Sequence, residues 1–182
     1  DSKGRSLTAG FYTEVLHHAA ALGIRTKINT VVNRINFRED MNGFIASSGI
    51  ARWKILQVMP VEGQNDAHID LLTVSLAEFE SYVSRHNSLV SAAGIRVVPE
   101  PISDIRGSYC MIDPQGRFFD SASGHHLYSR PILDTGIERA FSEISFDDEA
   151  FEARGGSYEF LPNLAHAHPR ISRVAKNTTN SL

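Results

Sequence analysis

The order of helical and extended segments constrains the fold of this chain more than any other feature of its sequence. Residues 11–22 carry apolar side chains at helical spacing, and residues 25–33, which follow, are rich in the β-branched residues typical of a strand. A short helix over 40–47, a strand over 52–61 and a helix over 76–93 continue the alternation. Because such alternation forms a parallel sheet covered by helices, we predict an α/β fold.

The second half of the chain contains shorter extended segments. The segment IRVVPEP is predicted to be an edge strand, because Pro99 and Pro101 cannot donate to a central ladder. The segment SYCMIDPQGRFFD has two apolar runs around a turn-forming sequence at 113–116 and predicts a hairpin. A helix is predicted over 134–144, while the residues beyond about 162 show little periodicity, which predicts a disordered tail.

Length and composition are those of an ordinary globular domain of 182 residues with a sizeable core. The net charge of -3 gives no reason to expect a nucleic-acid partner, and no apolar run is long enough to cross a bilayer. We expect a cytoplasmic protein; the chain begins with Asp1 rather than Met, which leaves open a membrane-associating segment upstream. The one cysteine, Cys110, is interpreted as a small buried side chain in preference to a catalytic thiol.

Cationic side chains interrupt the first two predicted strands. Lys27 and Asn29 are two residues apart and so share one face of the first strand, as Arg52 and Lys54 do in the second. Strands of a parallel sheet are normally apolar on both faces, and cations that face one cavity are costly without anionic partners. A polyphosphate would neutralise them; the alternative is that these are strand-edge residues whose charged ends reach solvent.

Glycine and histidine give weaker signals. The sequence Arg154-Gly155-Gly156 would allow consecutive backbone N–H groups to cradle an anion, but it is also typical of an ordinary loop. No two histidines have the helical i, i+4 spacing or the carboxylate neighbours of zinc enzymes, so we predict no metal site.

Several of these segments together resemble the viperin-like radical S-adenosylmethionine (radical SAM) family. The resemblance runs in one order from about Arg25 to Tyr158, through KINTVVNRINFREDMNGFI, ARWKILQVMPVEGQN, FESYVSRH, GSYCMIDPQGRFFD, SRPILDTGIERA and FDDEAFEARGGSY. It implies the C-terminal portion of a partial (β/α) radical-SAM barrel over residues 1–97. A C-terminal extension over 98–160 would close over the substrate, and residues 161–182 would be the disordered tail.

The resemblance also implies an activity. The family binds a [4Fe–4S] cluster and S-adenosylmethionine, and it dehydrates a nucleoside triphosphate, typically CTP, to the 3′-deoxy-3′,4′-didehydro analogue, which terminates viral RNA synthesis. The chain would be the nucleotide-binding half of this antiviral lyase. The family's CxxxCxxC cluster motif is absent, and an unrelated tail replaces its C-terminal segment for cluster delivery, which puts an iron–sulfur delivery partner in doubt.

Individual roles follow from the same resemblance. The positions that match contacts to the triphosphate are Lys27, Arg52, Lys54, Arg154, Gly155 and His126. At His126 the family has one of a basic pair that follows a glycine. Tyr109 matches a tyrosine near the sugar, a candidate proton donor, and Asn29 and Arg5 match residues close to S-adenosylmethionine.

Two classes of function remain open at this point. The chain is either part of a radical-SAM nucleotide dehydratase or a truncated relative that binds nucleotides or partners without turnover. The retained cations fit both classes, whereas the missing cysteines favour the second for this chain by itself. A CxxxCxxC motif in the upstream coding sequence would restore the enzyme interpretation.

Overall fold

A computed structural model of the chain describes residues 7–64 and 66–156. The helices are α1 (Ala9–Ala21), α2 (Asn42–Ser47), α3 (Ile69–Leu72), α4 (Leu76–Ala92), α5 (Ile102–Ile105), α6 (Ile132–Thr135), α7 (Ile137–Phe141) and α8 (Asp148–Ala153). The strands are β1 (Lys27–Val32), β2 (Arg52–Gln57), β3 (Arg96–Glu100), β4 (Met111–Ile112), β5 (Arg117–Asp120) and β6 (Leu127–Pro131). Arg5 and the tail predicted over 161–182 lie outside the described residues. In the described ranges, no helix is both long and apolar enough to span a bilayer.

The first three strands form a parallel sheet in the order β1-β2-β3, which confirms the prediction of parallel strands and of an α/β fold. Strand β3 carries Pro99 and lies at an edge of this sheet, as predicted. Within residues 7–64 and 66–156 the sheet has three strands and does not close into a barrel, so the partial radical-SAM barrel remains a prediction.

The apolar core lies between this sheet and helix α4. Trp53 and Ile55 of β2 are fully buried, and Phe79, Tyr82 and Val90 of α4 recur on the helix face that covers them. Fully burying a side chain of this size stabilises the fold by about 1.5–3 kcal/mol. We call residues 7–100, which contain this core, the parallel region.

The remaining strands form an antiparallel sheet in the order β4-β5-β6 and confirm the predicted hairpin. At its turn Asp113 Oδ1 accepts hydrogen bonds from the backbone N–H groups of Gln115 at 2.9 Å and Arg117 at 3.0 Å. We call residues 101–156 the antiparallel region. Its loop before β6 attaches to the parallel region through a hydrogen bond from Glu62 N to Gly124 O at 2.9 Å.

The structure differs from the sequence prediction in several elements. The single helix predicted over 134–144 is wrong: α6 and α7 are separate, because Gly136 between them adopts φ +82°. The second strand ends at Gln57 rather than near residue 61. Helices α3 and α5 were not predicted, since four residues are too few to show a helical period.

Candidate functional site

The parallel sheet brings the polar side chains of β1 and β2 onto one face. Lys27 pairs with Arg52, and Asn29 pairs with Lys54, in the parallel register. Lys27 and Asn29 are exposed, whereas Arg52 and Lys54 in the central strand retain only 4% and 5% of their accessible surface. The alternative that these side chains are edge residues reaching solvent is therefore wrong for Arg52 and Lys54.

Glu100, the last residue of β3, lies among these cations. Strand alternation places it on the same face as Lys54, and it is fully buried. Its Oε1 atom lies 2.6 Å from Lys54 Nζ and 3.1 Å from Arg154 Nη1. A buried charge is costly unless it is paired and hydrogen-bonded. The protein itself therefore supplies the anionic partner of Lys54 and Arg154.

Tyr109 and Ser108 complete the arrangement. The Tyr109 hydroxyl accepts a hydrogen bond from Lys54 Nζ at 3.0 Å and donates one to Glu100 Oε2 at 2.6 Å. The Arg154 guanidinium lies 4.1 Å from the centre of the Tyr109 ring, a cation–π distance. Arg154 also donates to the hydroxyl and to the carbonyl oxygen of Ser108, both at 2.7 Å. We call these five residues the Glu100 cluster.

Arg154 reaches the cluster because of the way helix α8 ends. Gly155 N donates to Glu152 O at 2.9 Å and Gly156 N donates to Phe151 O at 2.8 Å, with Gly155 at φ +70°, which together form a Schellman motif. A Cβ atom on Gly156 would lie 2.4 Å from the Phe151 ring, so this turn requires glycine. Both glycine N–H groups bond to carbonyls of their own helix, so the motif presents the Arg154 side chain and not a backbone cradle for an anion.

The contacts within the cluster shift three ionisation equilibria. Burial raises the pKa of Glu100, but the hydrogen bonds from Lys54 and Tyr109 outweigh it and hold this pKa below its usual value. Burial lowers the pKa of Lys54, and the Glu100 carboxylate offsets part of that effect. Burial and the hydrogen bond to Glu100 raise the pKa of Tyr109. At neutral pH an ionised carboxylate therefore lies against a neutral phenol.

An open cleft of about 340 Å³ adjoins the cluster. Its lining combines charged and polar side chains with aromatic ones. The lining includes Lys27, Lys54, Tyr109, Arg154, Cys110 and Phe151. The volume falls within the range of small-molecule sites, and the mixed lining suits a ligand that has an anionic part and a less polar part.

Other residues singled out in the sequence have different surroundings. The ring of His126 lies 4.8 Å from that of Phe119, and its Nδ1 lies 3.3 Å from the Tyr128 hydroxyl, so these contacts are with the antiparallel sheet and not with the Glu100 cluster. Arg52 donates through Nη2 to the carbonyl of Gly155 at 3.2 Å, which joins β2 to the end of α8. Cys110 is half-buried, and burial raises the pKa of its thiol, which disfavours a reactive thiolate.

Sequence reasoning did not identify Glu100 or Ser108. The sequence signal for Glu100 is its position as a carboxylate at the C-terminal end of a short parallel strand. Val98 pairs with Lys54, and Glu100, two residues further along, therefore lies on the same face of the sheet as Lys54. Sites of parallel α/β sheets form at those strand ends. Ser108 gives no signal of its own. Among the described residues, no group of three or more His, Cys, Asp or Glu side chains comes together in a way that could hold a metal ion.

Comparison with known proteins shows which enzymes this chain is similar to. The S-adenosylmethionine-dependent nucleotide dehydratases of Lacinutrix mariniflava and Flammeovirga pacifica are 40% identical over 159 residues and 39% identical over 150 residues. The S-adenosylmethionine-dependent nucleotide dehydratase RSAD2 of Danio rerio is 35% identical over 137 residues. These matches cover 87%, 82% and 72% of this chain but 32%, 50% and 37% of the relatives, so the chain spans between about a third and a half of their lengths. No family model matches the chain.

Proposed function

Because the chain belongs to the viperin-like family of S-adenosylmethionine-dependent nucleotide dehydratases, we propose that its cleft holds the nucleotide substrate of such an enzyme. The proposed substrate is a nucleoside triphosphate, CTP in particular. The proposed reaction is a dehydration to the 3′-deoxy-3′,4′-didehydro analogue, carried out in the cytoplasm in antiviral defence.

One observation supports this proposal more than any other: residues assigned to the triphosphate come from separate segments and line one cleft. Lys27 lies on β1, Lys54 on β2, and Arg154 at the end of α8. Such a group of Lys and Arg side chains suits a polyanion such as a triphosphate.

The proposed roles of the individual residues follow from their positions. Arg154, fixed by the turn at Gly155, would contact the phosphates from the end of α8. Tyr109 keeps its proton at neutral pH and lines the cleft, so it is suited to donate a proton near the sugar. His126 is a weaker phosphate ligand than the others, because its described contacts are with the antiparallel sheet. Asn29 and Arg5 are proposed to lie toward S-adenosylmethionine.

The residues of this chain do not fit an iron–sulfur cluster. Such a cluster needs several thiolates, and the chain has one cysteine, whose pKa is raised by burial. In the enzyme candidate, the [4Fe–4S] cluster and the radical chemistry with S-adenosylmethionine would require a part with a CxxxCxxC motif. Iron–sulfur delivery machinery would act on that part. The residues described here bind and orient the nucleotide and hold a proton at the Tyr109 hydroxyl.

The second candidate is a nucleotide-binding module without turnover. The single thiol favours this candidate for the chain by itself, while the cleft is common to both. The coding sequence upstream discriminates between them: a CxxxCxxC motif there supports the enzyme, and its absence from the whole protein supports the module.

The experiment that tests the cleft is calorimetric titration of the full-length protein with CTP. A lost hydrogen bond to a charged group is worth about 1.5–3 kcal/mol, so Lys27→Ala, which removes a cation from the lining of the cleft, should raise the dissociation constant about tenfold or more. Tyr109→Phe removes no charge and should leave binding unchanged. Arg130→Ala is the matched control, because Arg130 is an exposed cation paired with Glu143 away from the cleft.

Two results would count against the proposed function. A folded full-length protein that binds no nucleoside triphosphate would remove the basis for both candidates. Equal weakening by Arg130→Ala and Lys27→Ala would show that CTP responds to the general charge of the protein and not to this cleft.

A further inference from the structure

We propose that Glu100 is the positioning residue of the site: its carboxylate holds the Lys54 ammonium, the Tyr109 hydroxyl and the Arg154 guanidinium in the arrangement that faces the nucleotide. The proposal deepens the proposed function and rests on it. No role was assigned to Glu100 from the sequence or from the family resemblance.

The geometry of the carboxylate carries the argument. Oε1 is shared by Lys54 at 2.6 Å and Arg154 at 3.1 Å, and Oε2 accepts the Tyr109 hydroxyl at 2.6 Å. The phenol hydrogen therefore points at Oε2, and the phenol oxygen receives Lys54 at 3.0 Å. Each of the three donors also lines the cleft. One buried anion thus orients three side chains that come from β2, from the segment before β4 and from the end of α8.

A second buried carboxylate, Asp120, has a structural role and serves as a comparison for Glu100. Asp120 is also fully buried, but it accepts its hydrogen bonds from the backbone N–H groups of Ala122 at 2.8 Å and Ser145 at 2.9 Å. These bonds hold loops together. Glu100 instead receives hydrogen bonds from side chains alone in the contacts given above, and all three belong to residues proposed for the site.

The cost of burying charge supports the same conclusion. A buried group of ion pairs is seldom more stable than an apolar packing of similar volume, so stability alone gives little reason for three charged groups here. The benefit is to substrate binding: the cluster holds the cations and the phenol in one orientation before the substrate arrives. Pre-oriented groups lose less conformational freedom on binding.

The test compares Glu100→Gln and Glu100→Asp with the matched control Asp120→Asn. In the ¹⁵N-labelled chain, the Lys54 ammonium should give a proton NMR signal protected from solvent exchange. We expect that signal to disappear in Glu100→Gln and to weaken in Glu100→Asp, whose shorter side chain cannot reach all three partners. Asp120→Asn should leave it unchanged. Tyr109, labelled with ¹³C at Cζ, should titrate at lower pH in Glu100→Gln, since the hydrogen bond to Glu100 raises the pKa of this phenol.

In the full-length protein, we expect Glu100→Gln to raise the KM for CTP and to lower kcat, with kcat/KM reduced about tenfold or more. The variant releases both the proposed phosphate ligands, Lys54 and Arg154, and the proposed proton donor, Tyr109. The partial return of kcat in Glu100→Asp would support positioning by a carboxylate. Should Glu100→Gln not fold, the double variant Lys54→Met/Glu100→Gln removes the paired charges together. The pH titration of Tyr109 is then measured on that variant.

The possible outcomes separate the two proposals. If the Lys54 signal stays protected in Glu100→Gln, or if Asp120→Asn removes it equally well, the positioning role is overturned. If Glu100→Gln removes the Lys54 signal but the parent chain binds no CTP, Glu100 orients these side chains as inferred and the proposed function is what fails.

Discussion

The parallel and antiparallel regions of this chain are held together by different forces. Buried apolar side chains dominate the parallel region, with Trp53, Ile55 and Phe79 at its centre. In the described part of the antiparallel region the buried positions are mainly polar, including Asp120 and Ser129, and the aromatic rings are half-buried or exposed. Apolar burial is non-directional and tolerates small shifts, whereas buried polar groups depend on particular partners. The antiparallel region should therefore respond more sharply to the loss of a single hydrogen bond.

The Glu100 cluster lies where these two regions meet. Lys54 and Glu100 belong to the parallel region, and Ser108, Tyr109 and Arg154 to the antiparallel region. From this difference we infer that the parallel region is the more stable part, the platform, and that hydrogen bonds of the cluster attach the antiparallel region to it. The predictions below test this division.

The largest effect is expected from Trp53→Ala, which would break the platform. Trp53 is fully buried between the sheet and α4, and replacing such a residue by alanine costs about 3–5 kcal/mol of unfolding free energy. Phe118→Ala in the antiparallel region should cost less, because Phe118 is half-buried. Urea unfolding followed by circular dichroism measures both. Equal losses would contradict the division into an apolar and a polar region.

The fastening of the antiparallel region is tested by Arg154→Met. It removes the hydrogen bonds to Glu100 and Ser108 but keeps much of the side-chain volume, and bonds of this kind contribute about 1.5–3 kcal/mol. Hydrogen–deuterium exchange should accelerate in α8 and in the segment before β4 and stay slow in β2. The control is Arg130→Met, which removes an exposed ion pair with Glu143 and should leave exchange in both regions unchanged, because solvent screens such pairs. Uniform acceleration across both regions would show that they unfold as one unit.

A third test concerns the turn that presents Arg154. Gly156→Ala places a methyl group 2.4 Å from the Phe151 ring, and overpacking of this kind costs about 1–3 kcal/mol. CTP binding should weaken as well, because the Arg154 side chain is displaced. Gly43→Ala in α2 is the control: its Cβ would meet nothing within 4 Å, so a change of less than about 1 kcal/mol is expected. Calorimetry of unfolding and of CTP binding on both variants checks the prediction.

The smallest effect is expected at acid pH from an exposed group of the parallel region. The hydrogen bonds from Arg34 and from the backbone of Ser75 lower the pKa of Glu78 from 4.5 to about 2. A carboxyl group with a lowered folded-state pKa adds stability that is present above about pH 4.5 and is lost as the pH falls toward 2. Glu78→Gln should therefore show a shallower loss of stability across this window than the parent. Identical pH profiles would show that Glu78 contributes nothing measurable.

The sequence predicted those parts of the fold that depend on local patterns. The parallel strands follow from β-branched segments separated by helices, and the hairpin follows from the turn at 113–116. The break at Gly136 was missed, because a glycine inside a helical pattern does not reveal that its φ angle is positive. Strand alternation predicted that Lys27 and Asn29 would share a face, as would Arg52 and Lys54, and the register brings both pairs together.

The sequence singled out Lys54, Tyr109 and Arg154 of the Glu100 cluster, but it did not show that they meet at Glu100. Glu100 meets Lys54, Tyr109 and Arg154 only through the packing of segments that are distant along the chain. Its position on an edge strand between two prolines gives no hint of complete burial. The glycines after Arg154 suggested an anion cradle, and the bonds that their N–H groups make in the helix end show why that pattern is ambiguous.

Tryptophan fluorescence reports on the parallel region and not on the antiparallel region, because Trp53 lies in the parallel region. It is the one tryptophan of the chain, it is fully buried, and its indole N–H donates to Thr30 Oγ1 at 2.9 Å. Its ring lies 5.5 Å from that of His86, also in the parallel region. Tryptophan emission is therefore a local reporter of this region. Detachment of the antiparallel region would leave the emission spectrum unchanged while the far-ultraviolet ellipticity falls, so a single fluorescence melt would overstate how cooperatively the chain unfolds.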